Sequence, residues 1–173
     1  MNTRIACCGA AVVALLLAGC SEHQVLAPSS RGARTPLEHE VTGSGCQLVS
    51  GVATFRMFEF TSATTAQSTG VMTGDLVGTF AVHYFDLVQN GDGSGFLSSN
   101  HVLTTSTGTI TTSDNIVLLP VDDPELFRPI AHMFITGGTG AYQGATGQLM
   151  VQGEYNHVTL AGSLTYQGQI CVP

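Results

Sequence analysis

Beyond residue 45 the apolar residues of this chain fall in short runs rich in β-branched and aromatic side chains, and most runs stop at Gly, Asn, Asp or Pro. That spacing predicts strands. Cys46 to Phe60 is the first, carrying Val49, Val52, Phe55 and Phe58, and a Thr-rich link follows it. A long hairpin runs from Gly74 to Thr107 about Asn90-Gly91-Asp92-Gly93, where Asn-Gly and Asp-Gly supply the positive φ of a tight turn. Then come a strand at Thr109 to Leu119, a turn or short lid at Val121-Asp122-Asp123-Pro124, and a strand from Ile130 to Thr136. Leu149 to Tyr155 and Val158 to Val172 close the series. No amphipathic helix separates these runs, so the domain reads as all-β, either an antiparallel up-and-down barrel or a β-sandwich.

With a four-residue loop at the Asn-Gly-Asp-Gly tip, the two-residue period puts Phe80, Val82 and Tyr84 on one face with Ser99, His101 and Leu103. That face is mostly apolar. Phe80, Val82, Tyr84, His101 and Leu103 are therefore the candidate lining of a ligand pocket. His101 and Tyr84 are in it either to orient a ligand or move a proton, or as hydrogen-bonded core residues. Asp86 falls near the tip, where the mouth of a barrel would be. His132 and His157 cannot be assigned to a face.

Ahead of the domain, Arg4 and the uncharged run Ala10 to Ala18 form a short secretory signal ending at Leu17-Ala18-Gly19-Cys20, which looks like a lipobox. An ordinary cleaved signal is the alternative. The expected layout is a lipoprotein signal at 1–19, a flexible tether at 20–45 broken by Pro28 and Pro36, and a barrel domain at 46–173. Acyl chains on Cys20 would anchor the protein in the cell envelope, and Ser21 directs it to the outer membrane if the source is Gram-negative. His23 and His39 in the tether read as solvated polar residues.

Between the strands at 130–136 and 149–155, glycine recurs too often for a helix: Gly137-Gly138-Thr139-Gly140-Ala141-Tyr142-Gln143-Gly144-Ala145-Thr146-Gly147. A nucleotide-binding loop would need a helix straight after it, and Gly144 and Gly147 interrupt one. The run resembles instead the turn shared by plant allene oxide cyclases and dirigent proteins, Gly-Gly-[Ser/Thr]-Gly-x-[Phe/Tyr]-x-Gly-x-x-Gly. A looser likeness extends from about Gly74 to the C-terminus. The resemblance implies a barrel of about eight strands, with Gly137, Gly138, Gly140, Gly144 and Gly147 as structural turn residues, and assembly as a homo-trimer. It also implies, as one reading, an isomerase or cyclase that guides a substrate's conformation in an apolar cavity. No catalytic residue of the family matches outside the turn.

Composition narrows the choices further. The net charge is -7 with only 5 Lys and Arg together and no basic patch, which argues against a nucleic-acid partner and disfavours an anionic small molecule, although a single buried Arg could still serve one. No spacing of His, Cys or carboxylates points to a metal, and no cofactor is implied; Gly91-Asp92-Gly93-Ser94-Gly95 lacks the oxygen series of a calcium loop. Of 5 cysteines, Cys7 and Cys8 leave with the signal and Cys20 takes the lipid. Cys46 and Cys171 then form a disulfide in an oxidising compartment, or stay as two free thiols. The leading expectation is a membrane-anchored lipoprotein whose barrel is a non-catalytic module, binding a small apolar ligand or serving as an envelope scaffold. The cyclase is the alternative.

Overall fold

A computed structural model describes residues 45–173, except the side chains of residues 57 and 58. The signal, Cys20 and the tether with His23 and His39 lie outside the described residues. Eight strands follow in order: β1 (Gly45–Phe60), β2 (Ala66–Gly74), β3 (Gly78–Gln89), β4 (Gly95–Thr105), β5 (Thr109–Pro120), β6 (Leu126–Gly138), β7 (Thr146–Asn156) and β8 (Ala161–Val172). Each pairs antiparallel with the next, and β8 pairs with β1, so the sheet closes into a barrel and the sandwich alternative falls away. Closure leaves no open sheet edge.

β2 is the strand that the Thr-rich link conceals. Its inward positions are Ala66, Ser68, Gly70 and Met72, too small and polar to show an apolar alternation. The small residues are there to admit a neighbour: a Cβ on Gly70 would lie 2.5 Å from the Phe80 ring, which leans over that position from β3. Boundaries elsewhere shift by a few residues, β6 starting at Leu126 rather than Ile130 and β8 at Ala161 rather than Val158.

Along β3 and β4 the expected face is observed, for a reason the sequence did not show. Phe80 stands opposite Leu103, Val82 opposite His101 and Tyr84 opposite Ser99. The turn, however, is one residue longer than four, since Gln89 pairs with Gly95. A β-bulge between Phe85 and Val88 takes the extra residue back. Asp86 sits in that bulge at φ 56, a left-handed conformation that Asp tolerates better than most residues, and beyond it Leu87 rather than Asp86 turns toward the interior.

The two ends of the barrel differ. At one end the β2–β3 turn inserts Leu76 and the β6–β7 connection inserts Tyr142 and Ala145, all at most 3% exposed, over the fully buried Ile110 and Ile170. This end is plugged. The β6–β7 connection is the glycine run, and it is a longer device than a simple hairpin: a 3₁₀ turn at Gly140–Tyr142 carries the Tyr142 ring inward. At the opposite end, the loops at 61–65, 90–94, 121–125 and 157–160 leave a mouth.

Cys46 and Cys171 face each other across β1 and β8 at the plugged end and are joined by a disulfide. The bond stitches the seam where the first strand meets the last.

Candidate ligand cavity

Inward-facing side chains fill a barrel of this size only partly, and the unfilled part lies toward the mouth. The mouth opens into a cavity of about 320 Å³ lined by Leu87, Leu97, Leu118, Phe127, Tyr155 and Tyr84, with Phe60 and His157 at its rim. Its lining is mainly apolar. Two smaller hollows of about 70 and 40 Å³ continue along the axis between Phe55, Met133, Val151 and Leu164. Tyr84 lines all three spaces and His101 the inner two. A water molecule needs roughly 10–15 Å³ measured this way, so the inner hollows hold a few small groups and the outer one a small molecule.

Of the five residues expected to line a pocket, Tyr84 and His101 reach hollows as just described. Phe80 and Leu103 line the innermost hollow, near the plug. Val82 is buried in the core on the same face. His132 points outward, with Nε2 3.0 Å from Gln148 Oε1 and its ring against Phe134. His157 stands exposed at the rim, where its Nε2–H donates to the Pro124 carbonyl at 3.0 Å.

The polar centre of the interior is a residue that was not singled out. Asp114 lies on β5 between Thr112 and Ile116, and its side chain is wholly buried. Its Oδ2 accepts the Ser99 hydroxyl at 2.9 Å from directly across the β4–β5 ladder, and stands 2.6 Å from His101 Nδ1. Asp114 is thus the hub, with Ser99 and His101 as its two spokes. This is not the order of a nucleophilic triad, in which the imidazole lies between hydroxyl and carboxylate. Oδ1 of Asp114 and Oγ1 of neighbouring Thr112 take no hydrogen bond among the described residues. The signal for Asp114 was available: Ile110, Thr112, Asp114 and Ile116 alternate on β5, which places the carboxylate on the face of two isoleucines.

A second polar pair sits between β2 and β3, the hydroxyls of Ser68 and Tyr84 at 3.0 Å. Burial pushes the Tyr84 hydroxyl up to about 12, opposed in part by the Ser68 bond. The ring therefore stays neutral at any physiological pH and serves as a hydrogen-bonding group, not as a base. Among the described residues no three His, Cys, Asp or Glu side chains converge as a metal site would require.

Charge at the mouth is mainly negative, with Arg128 near the start of β6 as the nearby cation. Glu59, Asp86, Asp92, Asp122, Asp123 and Glu125 stand exposed on the strand ends and loops of this end. Arg56 and Arg128 are the only cations among the described residues, and both are exposed, so no buried Arg awaits an anion.

No family model, curated protein or solved structure matches the chain. What its own coordinates establish is a closed eight-stranded antiparallel barrel, disulfide-bonded at its seam.

Proposed function

We propose that this is an exported, lipid-tethered barrel that takes up one small, largely apolar, uncharged molecule through its open mouth. The observation that carries the reading is an interior plugged at one end, open at the other, and mainly apolar, with His101 and Tyr84 as the polar groups at its inner hollows. A cavity of about 320 Å³ is at the lower end of the range for small-molecule sites. The acidic rim repels anions, and the interior offers them no cation. β1, the first described strand, begins at the plugged end. Kinship with the allene oxide cyclase and dirigent barrels rests on the glycine turn and agrees with the strand number.

The eight described strands, their core and the disulfide lie within residues 45–173, so a secreted form beginning at Ser21 is expected to fold without lipid. Titration of that form with the neutral dye N-phenylnaphthylamine should give saturable fluorescence enhancement at one site per barrel. Leu118→Trp, which fills the mouth, should weaken binding by about tenfold or more, whereas Val71→Trp on the outer wall should leave it unchanged. Equal binding by both variants would refute the cavity.

A second reading, an isomerase or cyclase, is favoured by the His101–Asp114 pair, because an imidazole oriented by a carboxylate suits proton transfer. A ligand that co-purifies with the protein and is converted by it, with turnover lost but binding kept in His101→Gln, would establish that reading. The homo-trimer implied by the resemblance would bury outer-wall residues such as Leu48, Val71 and Met150, each at least 44% exposed. Light scattering on the Ser21 form tests it.

A further inference from the structure

We infer that Asp114 holds His101 in the tautomer protonated at Nδ1, so that the imidazole offers the cavity a lone pair at Nε2 and the ligand enters with a hydroxyl at its leading end. The proton at Nδ1 stands on geometry, while the ligand class rests on a neutral imidazole and on the cavity reading above.

A contact of 2.6 Å between Nδ1 and Oδ2 requires one proton between them. Oδ2 is already the acceptor of the Ser99 hydroxyl, so it behaves as a carboxylate oxygen, and the proton belongs to Nδ1. The alternative site on the carboxylate, Oδ1, is buried with no acceptor in reach, and a proton there would be an unmatched donor. In a neutral imidazole a proton at Nδ1 leaves Nε2 as an acceptor. No described residue donates to Nε2. The Tyr84 ring lies edge-on at 6.4 Å with its hydroxyl turned to Ser68, and Phe80 offers only a ring face at 6.1 Å. His101 is 12% exposed, and both inner hollows touch it. Whatever satisfies Nε2 comes from the hollow and carries an O–H or N–H donor, of which a hydroxyl is the simpler one for an uncharged, largely apolar molecule. An apolar alcohol meets this requirement with its body in the mouth cavity and its hydroxyl inward.

Heteronuclear NMR of histidine-labelled Ser21 form reads which ring nitrogen carries the proton. The resonances absent from His101→Gln should show the Nδ1–H pattern, and Asp114→Asn should abolish that fixed tautomer. An Nε2–H pattern, or an imidazolium at neutral pH, in the wild type would overturn the assignment. For the ligand class, naphthylmethanol and its methyl ether are compared as competitors of N-phenylnaphthylamine. The alcohol should bind about tenfold more tightly to the wild type, as one net hydrogen bond provides. In His101→Leu the preference should vanish while the ether's affinity is kept. Equal displacement by the two compounds from the wild type would overturn the hydroxyl class and leave the cavity standing. Failure of both to displace bound dye would remove the ligand class, and failure of the dye itself to bind would remove the cavity reading with it. The wild-type spectra and the ligand pair decide the matter even if a variant does not fold.

Discussion

One hydroxyl holds the plugged end together. Tyr166 on β8 accepts the Leu76 N–H at 2.9 Å and directs its own proton at the carbonyls of Thr73 (3.0 Å) and Leu76 (3.2 Å), so the turn that seats Leu76 in the barrel has its backbone groups matched. Tyr166→Phe keeps the ring and strands a buried N–H. It should cost about 1–3 kcal/mol in urea denaturation. Burial pushes Tyr84 and Tyr166 up to about 12 from the ordinary 10.0. The sign follows directly: below about pH 10 both rings are neutral whether folded or not, and above it the unfolded chain ionises first, so stability is lost as pH rises from about 10 through 12. Thermal midpoints measured across that window should fall, and less steeply in Tyr84→Phe. Much of this scale was legible in advance. Tyr84 and His101 follow from alternation along one hairpin, but Asp114 is harder to see because the first half of its strand, 109–115, is mostly Thr, Ser and Asn, which hides the two flanking isoleucines.

At the scale of elements, two compensating irregularities set the phase of the β3–β4 hairpin. The loop is longer than the Asn-Gly-Asp-Gly signal suggests, and the Asp86 bulge restores the phase, so Phe80, Val82 and Tyr84 face inward all the same. Nothing in an isolated aspartate announces a bulge; only the burial of Leu87 behind it shows why the backbone kinks. β2 escaped notice because the core at that wall comes from Phe80 leaning over Gly70, not from β2's own side chains. The glycine run was the most legible element, and its residues are needed for different reasons. Gly140 adopts φ +61 with the Thr107 carbonyl 2.2 Å from any added Cβ, whereas Gly138 is hemmed by the Thr109 carbonyl at 2.2 Å. Gly140→Ala should therefore destabilise by about 2–3 kcal/mol. Gly91→Ala, with open space around it, should stay within about 0.5 kcal/mol. Paired chemical denaturation curves check both.

For the molecule as a whole, closure is the governing fact. β1 and β8 must find each other from opposite ends of the domain, and the Cys46–Cys171 bond spans 125 residues to hold them. A loop of that length corresponds to about 5 kcal/mol of chain entropy in the unfolded state. Reduction should lower unfolding stability by about 2–5 kcal/mol, read from denaturation with and without reductant. The pairing was legible because Cys46 and Cys171 are the two cysteines that fall within the expected domain. Which end would be open was not legible, since it depends on three turn residues, Leu76, Tyr142 and Ala145, folding inward over Ile110 and Ile170. That asymmetry leaves the interior closed at one end and open at the other. NMR of the Ser21 form during titration with N-phenylnaphthylamine tests it most directly. The account predicts saturable shifts of Leu87, Leu97, Leu118 and Tyr155, with Ile110 and Ile170 at the plug and Val71 and Met150 on the outer wall unmoved. Shifts confined to the outer wall, with the interior silent, would contradict it.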